Sequence, residues 1–328
     1  MQGQLFSRYF LTQSSGRFEP VLAKFFEGFY GIDVSQVGED AKFPTFEDVL
    51  GMLELALQCD DHYRVGGETW DQLRIRECRE HVIFLICTVL AETLGRYFSI
   101  GRNWHRELVS RLQIAPVDFI SLNYDLLIDN ALVETLRGPD YGATFVNRDP
   151  RTPEVRLYKL HGSLNWLRCP TCGSLTSTGT EKGASYPQQL RPRCEREDCK
   201  GETTPVVIPP TFFKVMDNFH LLGIWHQAYL SLLKARRIVF CGYSLPDADM
   251  HVRYLLKRVE VNSGSTPEVV VVNNHEKKTE DDKTAEKERY RRLFCEPAKV
   301  VYTNLSFQDF ATDPAKVLSS QLEEVLKL

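Results

Sequence analysis

The sequence has no surplus of positive charge, no apolar run of membrane length and no secretion-type leader. Its 40 Lys and Arg stand against 44 Asp and Glu, a net charge of −4, with both signs scattered and no broad basic face to neutralise a phosphate backbone. Nucleic acid is therefore not expected as the ligand. The longest strongly apolar run, VIFLICTVLA from Val82 to Ala91, is about half of the roughly 20 residues a membrane helix needs. It reads as a buried helix, and no membrane association is expected. The opening MQGQLFSRYF lacks a positive stretch followed by an apolar one and a small-residue cleavage site, which points to the cytoplasm. No internal repeat is evident.

What is present is enough for a large core, with 43% apolar residues in 328. From Phe18 to about Gln113 the apolar residues recur three and four apart, as in EPVLAKFFEGFYG, FEDVLGMLELALQ and the long stretch from Trp70 to Tyr97. That spacing predicts helices, with Thr45 as an N-cap. After Pro116 short β-rich runs take over: VDFISLN, VRLYKLHG, TPVVIPP, RIVFCGYS, EVVVVNN and AKVVYTN. They are mostly apolar without alternation and several are separated by helical segments, the pattern of a parallel, doubly wound sheet covered on both faces. Such sheets bind ligands beyond the carboxyl ends of their strands. Asn123 with Asp125, His161, Ser244 with Asp247, and Asn273 end these runs and are expected on one edge. The charged run from His275 to Arg292 reads as a solvated loop and helix.

The segment from Trp166 to Thr203 has too few apolar residues for a core. It carries Cys169-x-x-Cys172 and Cys194-x4-Cys199, with 21 residues between the pairs. Four thiolates complete a tetrahedral zinc shell with no position left for water, so a closed, structural zinc site is expected and His161 is not needed as a ligand. Trp166 is expected to cover this insert. Cys59, Cys78, Cys87, Cys241 and Cys295 sit singly and read as reduced thiols, mostly core filling. His220, His226 and His251 carry no motif that raises them above surface or packing residues.

In order along the chain, SLNYD, KLHGS, the four-cysteine insert, VVIPP, CGYSLPD and VVVVNN resemble the sirtuin-like family, in particular a divergent bacterial branch with LHGS-x-x-W and GYSLPD-type motifs. The resemblance covers about residues 117 to 310. It implies an α/β chain: an N-terminal helical region (1–115), a Rossmann-like parallel sheet (116–165 and 204–328) and a small zinc-ribbon insertion (166–203). It also implies NAD as substrate and zinc as a bound metal. Motif by motif, Asn123 and Asp125 match the Asn-x-Asp on the nicotinamide and ribose side, and His161 the catalytic histidine. Gly242 and Ser244 match a Gly-x-Ser along the NAD, and Asn273 the residue on the adenosine ribose.

Chemistry makes separate sense of these types. Breaking the nicotinamide glycosidic bond develops positive charge on the ribose, and a neutral histidine can take a hydroxyl proton near pH 7. Asn123 can hold a water or the ribose without changing charge. Asp125 either stabilises the cation or caps the helix after it, and Ser244, Pro246 and Asp247 form either a ligand contact or a capped turn.

The family's opening strand and glycine-rich phosphate loop have no counterpart, since Gln2-Gly3-Gln4 and Ser14-Ser15-Gly16 follow no hydrophobic strand. A shortened N-terminus, a loop supplied by another segment or subunit, and lost NAD binding are the three explanations; the intact downstream motifs favour shortening, with a strand missing from the sheet. The expected activity is NAD hydrolysis, associated in the bacterial branch with defence against phage. Its rivals are deacylation of an acylated protein and a non-catalytic scaffold, and a homo-oligomer remains open.

Overall fold

The computed structural model describes residues 4–12, 20–38, 41–98, 103–112, 116–135, 138–148, 155–178, 192–208, 218–247, 249–274 and 278–318. The helical region comprises α1 (Gln4–Thr12), α2 (Pro20–Tyr30), α3 (Phe46–Cys59), a hairpin of β1 (Tyr63–Val65) and β2 (Glu68–Trp70), and α4 (Gln72–Phe98). Pro20 opens α2, where its missing N–H costs nothing. The Thr45 hydroxyl accepts the Asp48 N–H to start α3, as the sequence predicts. An aromatic cluster of Phe6, Phe10, Phe25, Phe26, Phe43 and Trp70 closes over the apolar side of α4, including Val82, Ile83 and Ile86 of the long apolar run. The hairpin was not foreseen; its strands are three residues each, too short for an alternation signal.

The rest is α/β. In order come α5 (Trp104–Leu112), β3 (Phe119–Ser121), α6 (Leu127–Thr135), β4 (Pro139–Asp140), β5 (Val155–Lys159), β6 (Gly162–Arg168), β7 (Leu175–Ser177), β8 (Thr204–Val207) and α7 (Phe219–Lys234). They are followed by β9 (Arg237–Cys241), α8 (Met250–Ser263), β10 (Glu268–Val272), α9 (Glu280–Leu293), β11 (Val300–Thr303), α10 (Phe307–Thr312) and α11 (Ala315–Leu318). Strands β3, β5 and β4 form one parallel sheet in the order β3-β5-β4, and β11, β10 and β9 another in the order β11-β10-β9. One core joins them, with Leu157 and Tyr158 of β5, Ile238 of β9 and Val269 and Val271 of β10. Among the described residues nothing pairs with the second edge of β3 or of β9. Phe119, Ile120, Val239 and Phe240 on those edges are only half-buried, whereas Val269 to Val272 of the central β10 are buried.

One run departs from the expectation. TPVVIPP supplies β8, but this strand lies outside the parallel sheets and pairs antiparallel with β6, which also pairs antiparallel with β7. Strand β6 itself, GSLNWLR, is a buried strand running out of the Leu160-His161 turn. Trp166 faces the main core against Tyr141 and Phe145 and does not serve as a cover for the cysteine insert. The helical region packs on this antiparallel sheet through Leu164 and Val207, and on the loop after β3 through Tyr124. Of the five single cysteines, Cys78 and Cys87 are core, where burial pushes their thiols up, while Cys59, Cys241 and Cys295 are exposed. No described helix is long and apolar enough to cross a membrane.

Candidate functional site

The register of β3 against β5, Ser121 opposite Lys159, carries both chains off the sheet together. Asn123 and His161 each lie two residues past that pair, on one carboxyl rim. Asn123 is exposed there. Its backbone N–H donates to the Ser121 hydroxyl at 3.2 Å, which fixes the turn. His161 lies 2% exposed, its Nδ1 3.1 Å from the Leu122 carbonyl oxygen. Gly162 follows with φ +83, and a Cβ there would stand 2.0 Å from the Val206 carbonyl oxygen. Only glycine lets β8 pass that close to the histidine turn.

Asp125 faces another task. Its carboxylate accepts the Leu127 N–H at 3.1 Å at the start of α6, the capping alternative, and its carbonyl receives the Lys159 ammonium. Lys159 also meets Asp129 at 3.0 Å, both fully buried, and Asp129 accepts the Tyr141 hydroxyl at 2.5 Å.

On the second sheet Gly242 follows β9 with φ +66 and open space where a side chain would stand. Its N–H donates to the Val272 carbonyl at 3.0 Å, which places Gly242 beside Asn273 at the end of β10. Leu245 takes φ 50, strained for a branched residue and more so ahead of Pro246. Two residues of the charged run hold this turn: Arg289 donates to the Ser244 carbonyl at 3.1 Å and Tyr290 to the Tyr243 carbonyl at 2.7 Å. Asn273 donates to Glu286 at 2.5 Å, and Lys278 and Tyr302 bond the same carboxylate. Glu286 is buried, so that run is not wholly solvated. Burial alone would raise Glu286, but the hydrogen bonds from Lys278, Tyr302 and Asn273 outweigh it and hold the carboxyl below its ordinary value.

The two rims meet through a residue that sequence reasoning missed. Asp247 of the LPD motif is exposed and pairs with Arg253 at 2.8 Å. Asp249, two residues on, is 2% exposed; one oxygen stands 3.6 Å from His161 Nε2 and the other accepts the Tyr243 hydroxyl at 2.8 Å. Burial pushes the Tyr243 phenol far up, with Asp249 adding to it, so Tyr243 stays a donor. Tyr124 lies on another side of the imidazole, ring centres 6.2 Å apart, its hydroxyl donating to the Ile208 carbonyl at 2.6 Å.

The four cysteines of the insert converge at the other end of β6, with all four sulfurs within 4.8 Å of one another. Cys169–Cys199 and Cys172–Cys194 are each 3.7 Å apart, close to the ~3.8 Å that a tetrahedral ion with Zn–S of about 2.3 Å imposes. At Gly201 a Cβ would stand 2.5 Å from the Thr171 hydroxyl and 3.0 Å from the Cys169 sulfur, so glycine is what lets the two knuckles close. Hydrogen bonds from the Ser174 hydroxyl and N–H pull the Cys172 thiol down to about 6. Cys199, although the Gly201 backbone lowers it, is pushed up to about 11 by burial and the neighbouring cysteines, so without a metal the negative charge sits first on Cys172. Eight residues of extended chain separate His161 from Cys169, about 26 Å, so the histidine belongs to the rim and not to this cluster.

A Rossmann-like α/β chain with polar residues gathered on the carboxyl rim and a four-cysteine insert is thus defined by the coordinates. The sequence model of the SIR2-like domain matches residues 117–294, more than half of the chain, and the chain belongs to that family. No curated protein matches it. Similar solved structures include a Sir2 homolog–NAD complex (15% identity over 78% of this chain and 76% of that one, TM-score 0.41). An ADP-ribose complex of a Sir2 homologue mutant (16%, 79% and 80%, 0.40) and a Sir2–p53 peptide–NAD+ complex (17%, 67% and 71%, 0.35) are others. At such scores these overlaps carry no argument, and membership rests on the domain match.

Proposed function

We propose that the chain is an NAD-consuming enzyme of the divergent bacterial branch that cleaves the nicotinamide glycosidic bond, with water as the acceptor. The observation that carries this reading is the shared rim. Asn123 and His161 leave β3 and β5 in register, and Asp249 and Tyr243 link them to the Gly242–Ser244 turn beside Asn273. An amide, an imidazole and an open glycine backbone suit a dinucleotide's ribose and pyrophosphate. His161 would take the proton released as the acceptor attacks, and Asn123, exposed at the rim, would hold the ribose or the water. Gly242 and Ser244 would lie along the dinucleotide and Asn273 at its adenosine ribose, with Asp125 acting through the loop it caps. The four cysteines would hold zinc as a closed structural site with no part in the reaction. In this branch such hydrolysis would serve defence against phage.

Deacylation is the second reading, supported by the four-cysteine insert, which resembles that of deacylating relatives. Incubation with NAD alone separates the two. Free nicotinamide without any peptide is expected, and release only on adding an acyl-lysine peptide would favour the deacylase. His161→Ala should cut either activity by at least about 100-fold while leaving the urea midpoint close to wild type. Unfolding of that variant would make His161 a packing residue instead.

A further inference from the structure

Asp249 occupies the N-cap position of α8 and makes no capping hydrogen bond with its side chain. An aspartate at an N-cap ordinarily stabilises its helix by accepting a backbone N–H of the first turn, yet this one turns inward to Tyr243 and His161. The reason lies in the histidine. The Leu122 carbonyl can only accept, so the proton of a neutral His161 is on Nδ1. The basic nitrogen is then Nε2, and it is the one that faces the Asp249 carboxylate at 3.6 Å. A lone pair facing a buried carboxylate is unfavourable, and a proton on Nε2 turns the contact into an ion pair. The Tyr243 hydroxyl and the positive end of α8 both favour keeping the negative charge on Asp249, so that proton belongs to the imidazole.

We infer that Asp249 is the positioning residue of His161: anchored by Tyr243, it fixes the ring with Nε2 as the base and receives the charge when Nε2 is protonated. This rests on the NAD reading for its chemistry. In hydrolysis the bond from ribose C1′ to the nicotinamide nitrogen breaks with both electrons going to nitrogen, and the water oxygen bonds to C1′. The water's proton passes to Nε2, where Asp249 balances it, and then to solvent. Asp249 differs from the orienting carboxylate of a Ser-His-Asp site, which binds the ring nitrogen opposite the base: here the Leu122 carbonyl holds Nδ1 and the carboxylate faces Nε2 itself. Other groups facing this pair include Tyr124 after β3 and, behind it, Glu47 of α3, and Arg253 of α8 acts on the Tyr243 that anchors Asp249. Burial, with Glu47 and Asp249 adding, pushes the Tyr124 phenol well above its ordinary range, so it stays neutral.

Nitrogen-15 spectra of the imidazoles in the full chain, with His161→Gln to assign the signal, test this without substrate. In wild type His161 is expected to keep both protons to about one pH unit above the ordinary ~6.5. Asp249→Asn, which keeps the shape, should lower that midpoint by about one unit or more, and Asp249→Glu should retain most of it. A wild-type midpoint at or below ~6.5, or one that Asp249→Asn leaves in place, would overturn the inference and make the contact mere packing. The wild-type titration decides even if the variant does not fold. With NAD, Asp249→Asn should lower kcat about tenfold or more, leave KM within about twofold and move the acid limb of kcat/KM to lower pH. Raised midpoint without NAD cleavage keeps the positioning role and defeats the NAD reading; NAD cleavage with an unmoved midpoint does the reverse.

Discussion

At the scale of single residues, the motif KLHGS holds two buried charged or titratable groups with different work. His161 meets the rim, whereas Lys159, two residues earlier, is fully buried on Asp129 and the Asp125 carbonyl. Removing one partner of such a pair leaves the other charge uncompensated in the core. Lys159→Met is therefore expected to cost about 3–5 kcal/mol, read from the urea midpoint, and adding Asp129→Asn should cost less than the sum of the two single changes. Additive losses would show that the two residues do not act as a pair. The sequence made His161 and Asn123 legible because both end apolar runs. It did not make Asp249 legible. In LPDADM the two aspartates differ only by two places in a turn, and the pattern alone does not say which one points inward. Asp125 is the converse case, a motif residue whose carboxylate is engaged in capping α6.

Among the elements, the cysteine insert was the most legible, because the spacing of four like ligands needs no tertiary context. What the spacing did not reveal is how the insert is tied down. His220, at the start of α7, lies 2.7 Å from the Gly173 carbonyl inside the first knuckle, and Phe219 packs on the same glycine. The N-terminus of α7 starts from the Asn218 side chain, which accepts two backbone N–H groups. Zinc removal should therefore loosen more than the insert. With about one zinc per chain as purified, chelation at neutral pH is expected to raise amide exchange across residues 169–178 and 192–202 and the first turn of α7, while β10 keeps its protection. An unchanged exchange map, or a chain that carries no zinc after expression with the metal supplied, would remove the structural role. The strand from TPVVIPP shows the opposite limit. A short apolar run is the same in a parallel sheet and in an antiparallel one, and only its partner, β6, decides.

Over the whole molecule, the parallel sheet is present in two halves, and each half has its own polar anchor. Lys159 and Asp129 fasten the β3-β5-β4 half to α6. Glu286 fastens the other: from α9 it takes hydrogen bonds from Asn273 after β10, from Tyr302 of β11 and from Lys278. The inward carboxylate was not legible in a run of charges that reads as solvent-facing, because two buried residues, Glu286 and Tyr290, do not alter a highly charged pattern. Its consequence is a stability that depends on acid. Glu286 has a folded value below the ordinary 4.5, so its contribution is complete above about 4.5 and is lost as pH falls through the lower folded value. Glu286→Gln lacks that titration. The urea midpoint of wild type should exceed that of Glu286→Gln at neutral pH, and the gap should close steadily as pH drops below about 4.5. Other carboxylates titrate in the same window and lower both curves alike, so the gap between them, and not either curve alone, reports Glu286. A gap that stays constant down to pH ~3 would mean that the carboxylate is not ionised in the folded chain, and that shape, not charge, joins α9 to the ends of β10 and β11.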